Sequence, residues 1–213
     1  MIAQPAPFSP EDLDAIRAVS GGPLTTGAWA DTRVADLKAR AKKHYIKEQK
    51  NRCCYCAEQW LTENGRVWDL EHVVPKAVHP HFMFESRNLA VACPDCNIAK
   101  LNADTLTDPT VTDYPTSPTS YVIVHPHFDR WEDHLEKNGL VYSPISEKGT
   151  WTVKHCKLGR FAMKYIDPMD ETDPYDRRFE SAIDALTGNH VTAQAAIGRI
   201  QAYLAAVAGT TLP

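Results

Sequence analysis

Six cysteines stand at positions 53, 54, 56, 93, 96 and 156, and four of them form two Cys-x-x-Cys pairs, Cys53/Cys56 and Cys93/Cys96. A Cys-x-x-Cys turn presents two thiolates on one side of a tight loop, and tetrahedral zinc takes four such ligands at about 2.3 Å. Cys56 and Cys93 are 37 residues apart, so the intervening chain must fold back on itself if one ion is to be shared. Buried free thiols or a redox pair are the bland alternatives. A second pair at the same spacing favours structural zinc, and no thioredoxin-like βαβ pattern surrounds either pair. Cys54 could replace Cys53 as first ligand, but Cys53 matches the spacing of the second pair. Cys156 has no partner nearby in sequence and is expected in the core.

The pairs bracket a second set of residues: Glu71-His72, Asn88, and Asn97 directly after Cys96. Phosphodiester hydrolysis needs a base for the attacking water and neutralisation of the charge that builds on phosphate and leaving oxygen. A neutral histidine, with an ordinary pKa of about 6.5, suits the first task. A hard divalent cation on oxygen ligands, with open positions for phosphate, suits the rest. Glu71 and His72 follow a strand-like run, where neighbouring side chains point to opposite faces. A local twist or bulge would therefore be needed for both to flank one phosphate. Asn97, at a helix start, could supply a second oxygen ligand.

The elements that must position these groups read as follows. Ser9 caps a helix that has Pro10 at its first position and Glu11 and Asp12 in its first turn; it ends near Gly21-Gly22-Pro23. Asp31–Lys50 is a second helix, with Val34, Leu37, Ala41, Tyr45 and Ile46 as its apolar stripe. From Asp31 to Arg52, eight Lys/Arg stand against three acids, a local balance of +5 in a chain whose net charge is −4. The bland reading is a solvated helix face; the other is phosphate contact through residues such as Lys42 and Lys43. Asn64-Gly65 reads as a hairpin turn, Arg66–Leu70 as a strand, Asn88–Cys93 as a short helix or turn, and Pro94–Leu101 as a helix. Asp104–Ser120, rich in Thr, Pro, Asp and Ser, reads as a linker. Beyond it, Tyr121–Val124, Leu140–Tyr142 and Thr150–Val153 read as short strands, the last two joined near Glu147-Lys148-Gly149. Lys157–Tyr165 is open to a helical reading, Asp170–Pro174 reads as an acidic loop, and Asp176–Leu186 and Thr192–Val207 read as helices. Four segments result: 1–30, 31–103 with the candidate core, the 104–120 linker, and a 121–213 strand and helix module.

Composition sets the frame. Hydrophobic residues are 43% and charged residues 23% of 213, near the globular average, so a packed core is expected. The net charge excludes a globally basic nucleic-acid binder and leaves only a local patch. The first residues lack the basic and apolar regions of a secretory signal, and no run approaches the roughly 18 apolar residues that span a membrane. A reducing cytoplasm and no membrane partner are the expectation.

The pattern Cys-x-x-Cys … Glu-His-x-x-Pro-Lys … Asn-Leu-x-x-x-Cys-x-x-Cys-Asn-x-x-Lys resembles the HNH endonuclease family in its zinc-containing Cys-x-x-Cys subgroup, over about 50 of the 213 residues. The resemblance implies an α+β chain with a ββα-metal (HNH) core clamped by a four-cysteine zinc site, flanked by helices and a small strand-containing C-terminal module. It implies His72 as general base, Glu71 and Asn97 as ligands of Mg²⁺ or Mn²⁺, and Asn88 as the residue that ties down the loop between the two strands. Cys53, Cys56, Cys93 and Cys96 become the structural zinc ligands, and Lys100 and Lys76 basic positions facing phosphate. Glu71 stands where Asp is commoner in the family, and Asn97 and Lys100 stand where some relatives carry His. The Glu-His-x-x-Pro-Lys form is similar to HNH proteins of bacterial anti-phage systems, of the Septu and retron-associated types. That similarity implies a nucleic-acid substrate, DNA before RNA, and an ATPase partner. The alternative is a non-catalytic zinc module that binds nucleic acid or protein, which would need none of Glu71, His72, Asn88 and Asn97.

Other candidates have bland readings. His79 and His81 read as solvated loop residues, His125, His127 and Asp129 as a polar turn, and Tyr55 and Trp60 as packing around the first knuckle. Trp131–His134 is expected to pack the C-terminal module on the core.

Overall fold

A computed structural model describes residues 2–162 except 23 and 63. The acidic loop and the two helices expected beyond residue 169 lie outside the described residues, as does the end of Lys157–Tyr165.

The first helix, α1 (Pro10–Val19), begins as its sequence dictates. Ser9 accepts from the Asp12 amide while Asp12 accepts from the Ser9 amide, a reciprocal capping box. A short α2 (Gly27–Ala30) precedes the basic segment, which is broken rather than continuous: a 3-10 turn at Thr32–Val34, then α3 (Ala35–Glu48). Asp31 causes the break by accepting from the Arg33 amide and capping the 3-10 turn. The expected stripe is the one that packs: Val34, Leu37, Ala41 and Tyr45 are buried. Tyr45 Oη donates to Ser86 O at 2.6 Å and accepts from the Ala6 amide at 2.9 Å, so α3 holds both the N-terminal segment and a distant loop.

Strand β1 (Asp69–His72) pairs antiparallel with β2 (Leu89–Ala92), with Asp69 opposite Ala92 and His72 opposite Leu89. Both depart from the sequence reading. Asn64 Oδ1 accepts from the Arg66 amide and opens a 3-10 turn over Gly65–Val67. That delays the start of the strand by three residues, and Asn64-Gly65 makes no hairpin. Leu89–Ala92 is a fully buried strand rather than a helix or turn. Four consecutive apolar residues carry no periodicity to separate the two, and pairing with β1 decides. Gln49, just past α3, covers the outer edge of β2: its side-chain amide donates to Val91 O and accepts from the Val91 amide, each at 2.7 Å. The helix α4 (Pro94–Lys100) is entered from the second knuckle as expected, with Cys93 at its N-cap and Cys96 in its first turn.

The segment after α4 is irregular but not detached. Thr105 Oγ1 donates to Val73 O at 3.0 Å, and Leu106 bridges to Tyr121. Tyr121–Val124 forms no strand beyond that bridge. Further on, β3 (Leu135–Asn138) and β4 (Val141–Pro144) form a hairpin whose turn is Gly139-Leu140, with Gly139 at φ +62°. Gly at the first position of a two-residue loop is the type II′ arrangement, which matches the twist of the flanking strands. The strand expected at Thr150–Val153 lies within helix α5 (Glu147–His155), capped by Ser146, whose Oγ accepts from the Gly149 amide. Val153 and Thr152 form its buried face, so their β propensity is overridden by the cap and by packing. Among the described residues no helix is long and apolar enough to cross a membrane.

Candidate metal centre and adjoining cleft

The four thiols of Cys53, Cys56, Cys93 and Cys96 lie within 4.8 Å of one another and are all buried. Cys53, not Cys54, is the first member. Three backbone devices shape the site. The Ala57 amide closes on Cys53 O at 3.0 Å, with Ala57 at φ +56°. The Cys54 amide donates to Val91 O at 3.1 Å and so stitches the first knuckle to β2. The Cys93 amide donates to Cys53 Sγ at 3.3 Å, joining the two knuckles.

The electrostatics show what such a cluster requires. Burial opposes ionisation of Cys53, yet hydrogen bonding with Cys54, Cys56, Cys93 and Cys96 outweighs it and holds the thiol well below its usual range. Hydrogen bonding with Cys53 and then Cys93 pushes Cys56 far up, and hydrogen bonding with Cys53, Cys56 and Cys93 does the same to Cys96. Four thiolates cannot share this volume without a cation, and all four could ionise around Zn²⁺. The donor set therefore fits zinc, closed on every side as structural sites are. Arg160 completes the surroundings: its Nη2 lies 3.2 Å from Cys96 Sγ and 3.9 Å from Cys93 Sγ. Burial works against the guanidinium charge, but the Cys96 sulfur more than compensates and raises its pKa. The sequence offered no signal for Arg160, which is 64 residues from Cys96. Cys156 is buried, as expected of a core thiol.

The knuckles anchor β1, β2 and α4 around the other candidate residues. Asp69 and Glu71 alternate to the same side of β1 and meet the same side of α4. Asn97 Nδ2 donates to Asp69 Oδ2 at 2.8 Å. One turn later Lys100 Nζ lies 2.8 Å from Glu71 Oε1 and donates to His72 O at 3.0 Å. Tyr55 Oη also donates to Glu71 Oε1, at 3.1 Å. Glu71 and Lys100 are 6% and 2% exposed. Burial raises the Glu71 pKa, with Lys100 and Tyr55 working against that rise. Glu71 and Asn97 are thus each engaged by a different partner. The carboxylate expected to hold a divalent cation is engaged in a buried ion pair with Lys100.

His72 projects to the other side. Its Nε2 donates to Met83 O at 3.1 Å; a carbonyl only accepts, so Nε2 carries the proton and the lone pair sits on Nδ1. The Trp29 ring meets the imidazole edge-on, centroids 4.3 Å apart. Burial, then the charge of Lys76, drive its pKa down to about 3, so it is neutral at pH 7. Asn88, fully buried, ties the loop after β1: Oδ1 accepts from the Val74 amide at 2.7 Å, and Nδ2 donates to Val74 O and Phe82 O at 3.0 Å. Beside these residues a cleft of about 350 Å³ opens between α3 and α4, lined by Trp29, Lys38, Ala39, Lys42, Asp69, Leu70 and Asn97. Lys42 lies in it; Lys43 is exposed one position on. Trp29, Lys38 and Asp69, none of them singled out by motif, line this cleft, and Lys76, which was, acts on His72 through its charge. A carboxylate three residues before the histidine was the available signal for Asp69.

The remaining candidates are structural. His79, expected to be solvated, is buried and faces Asp104 Oδ2 at 3.0 Å. His125 bonds Tyr114 Oη through Nε2 at 2.9 Å, its amide donates to Asp129 Oδ2 at 2.8 Å, and His127 Nε2 donates to Leu89 O at 2.8 Å. Tyr55 is core, but Trp60 is 45% exposed rather than packed on the knuckle. Trp131 Nε1 donates to Tyr55 O at 2.8 Å and joins the later segment to the first knuckle.

These features define a small mixed α/β protein with two-stranded antiparallel sheets and a four-cysteine cluster suited to zinc. Part of it is similar to a curated protein: the Septu protein PtuB of Bacillus thuringiensis is 28% identical over 85 residues, 40% of this chain and 33% of that protein. The match thus spans about a third of the relative's length. No protein-family model and no solved structure matches the chain.

Proposed function

We propose that this chain is a zinc-clamped, metal-dependent HNH-type endonuclease that hydrolyses phosphodiester bonds, DNA before RNA, and acts in anti-phage defence beside an ATPase subunit. The observation that carries the reading is His72: a neutral imidazole with its lone pair on Nδ1, held by a loop that Asn88 ties down and covered by Trp29, which itself lines the lysine-bearing cleft. The defence role rests on the similarity to PtuB, and the ATPase partner on the resemblance of the Glu-His-x-x-Pro-Lys form to anti-phage HNH proteins.

In this reading His72 accepts a proton from the attacking water. Its low pKa in the closed site means that it holds that proton weakly, and a bound phosphate counteracts the Lys76 charge that contributes to the shift. Trp29 covers the imidazole, so it must move aside as substrate enters. Lys42, with Lys38 beside it, meets the phosphate backbone. A divalent cation, Mg²⁺ or Mn²⁺, would neutralise charge developing on the phosphate. The four-cysteine centre keeps β1 and α4 in register and takes no part in the chemistry.

The test is cleavage of supercoiled plasmid, linear duplex and single-stranded RNA with Mg²⁺ or Mn²⁺, with and without the co-purified partner. Wild type should cut, and His72→Ala should lose about 10²–10⁴-fold in rate with its zinc content unchanged. Equal cleavage by the two proteins would remove His72 as base. Tight nucleic-acid binding with no cleavage under any condition would make the chain a zinc-binding interaction module.

A further inference from the structure

Two rungs connect β1 to α4, and they differ in a way that bears on where a cation can bind. The lower rung, Glu71–Lys100, is buried, and its carboxylate oxygen Oε1 already has two donors, Lys100 and Tyr55. The upper rung, Asp69–Asn97, is half-buried and lines the open cleft with Lys38 and Lys42. A hard cation of the Mg²⁺ type needs one or two carboxylate or carbonyl oxygens and open positions for water and phosphate. The lower rung offers no open position. A cation there would also have to displace a lysine ammonium from a site closed to water.

We infer that Asp69, paired with Asn97, is the carboxylate that holds the catalytic divalent cation, and that Glu71 is a structural anchor for Lys100. The inference rests on the nuclease reading for the word catalytic; the binding site itself does not. Three observations carry it. Asp69 Oδ2 and the Asn97 amide already face each other at 2.8 Å. The amide has an oxygen on its other arm that a cation can take in place of the N–H. The two cleft lysines bring positive charge to where a phosphate would meet the cation, and neither is ion-paired to Asp69 in the way Lys100 is to Glu71. The sharing of work then follows the helix: Asn97 serves the open end of α4, Lys100 the buried end, three residues on.

The experiment uses the full, zinc-loaded chain and Mn²⁺ as probe, read by the loss of the free-ion electron paramagnetic resonance signal on titration. Zinc content and melting temperature are measured on every variant. Wild type should bind one Mn²⁺ beyond its zinc. Asp69→Asn should weaken that binding at least tenfold with zinc unchanged. Glu71→Gln leaves Lys100 without its partner and is a folding risk, so the paired variant Glu71→Gln/Lys100→Met is the control; it should bind Mn²⁺ within about threefold of wild type. Wild-type affinity in Asp69→Asn, or loss of binding only in the Glu71→Gln/Lys100→Met protein, would overturn the assignment. So would wild type that binds no Mn²⁺ at millimolar concentration. Plasmid cleavage on the same samples separates the two claims. Asp69-dependent Mn²⁺ binding without cleavage of any nucleic acid would uphold the site and sink the nuclease reading. Cleavage that survives Asp69→Asn but not His72→Ala would uphold the nuclease and sink the site.

Discussion

The thiol cluster and the cleft meet at α4, where Cys96 and Asn97 are neighbours, and obey opposite rules. Around the cysteines every position is filled: four sulfurs within 4.8 Å, an amide on Cys53, and a guanidinium on Cys96. Around Asp69 and Asn97 the chain leaves room, a cleft of about 350 Å³ with two lysines on its wall. A centre that stabilises a fold gains from excluding water, whereas a centre that turns over substrate must keep positions open. The Glu71–Lys100 pair is the hinge of the comparison. It lies one turn from the cleft but belongs to the closed side, and that difference in solvent access assigns different roles to two similar carboxylates.

The largest expected effect breaks the closed side. Cys96→Ser, or exhaustive chelation, should release the bound zinc and unfold the 52–101 region. Structural zinc in small domains contributes on the order of 10 kcal/mol, so loss of the cooperative melting transition is the expected readout beside metal analysis. A variant that keeps its melting temperature without zinc would make the cluster a set of buried thiols.

A smaller effect separates the two rungs. Lys100→Met leaves a buried Glu71 without its cation and should cost about 3–5 kcal/mol in chemical denaturation. Asp69→Asn removes a half-exposed charge and should change stability by about 0.5 kcal/mol or less. Similar costs for both would mean that the rungs do not differ as their burial indicates.

The smallest concerns acid. Burial drives His127 down to about 4, and His125 is also pushed well below its usual range by burial. Both are neutral in the folded protein and take up protons more readily when unfolded. Their contribution is therefore complete above about pH 6.5 and falls as pH drops toward 4, by up to about 3 kcal/mol for His127. Urea midpoints across that range should decline, and His127→Gln, which keeps a donor for Leu89 O, should flatten the decline. An unchanged slope would place the titration elsewhere.

Much of the candidate site was legible because it depends on local spacing. Two knuckles at matched Cys-x-x-Cys spacing, a capped helix at Ser9, a stripe from Val34 to Tyr45 and a helix from Pro94 each follow from residues a few positions apart. The strands were less legible. Asn64-Gly65 and Asn138-Gly139 are the same dipeptide, yet the first opens a 3-10 turn and the second a hairpin. What separates them is whether strands flank the turn, and that is settled by pairing at a distance. Leu89–Ala92 and Thr150–Val153 depart from their sequence readings for the same reason: apolar or β-branched runs take the state that their partners allow.

The sequence by itself determined the ligand chemistry of the cysteines, the presence of a histidine beside a carboxylate, and the local basic balance of α3. Only the tertiary structure decided that Cys53 rather than Cys54 joins the cluster, that Arg160 reaches it across 64 residues, and that Asp69 faces open space while Glu71 does not. Residue type and spacing fix which atoms are available. Burial and the partner across the gap fix whether those atoms are free to bind anything else.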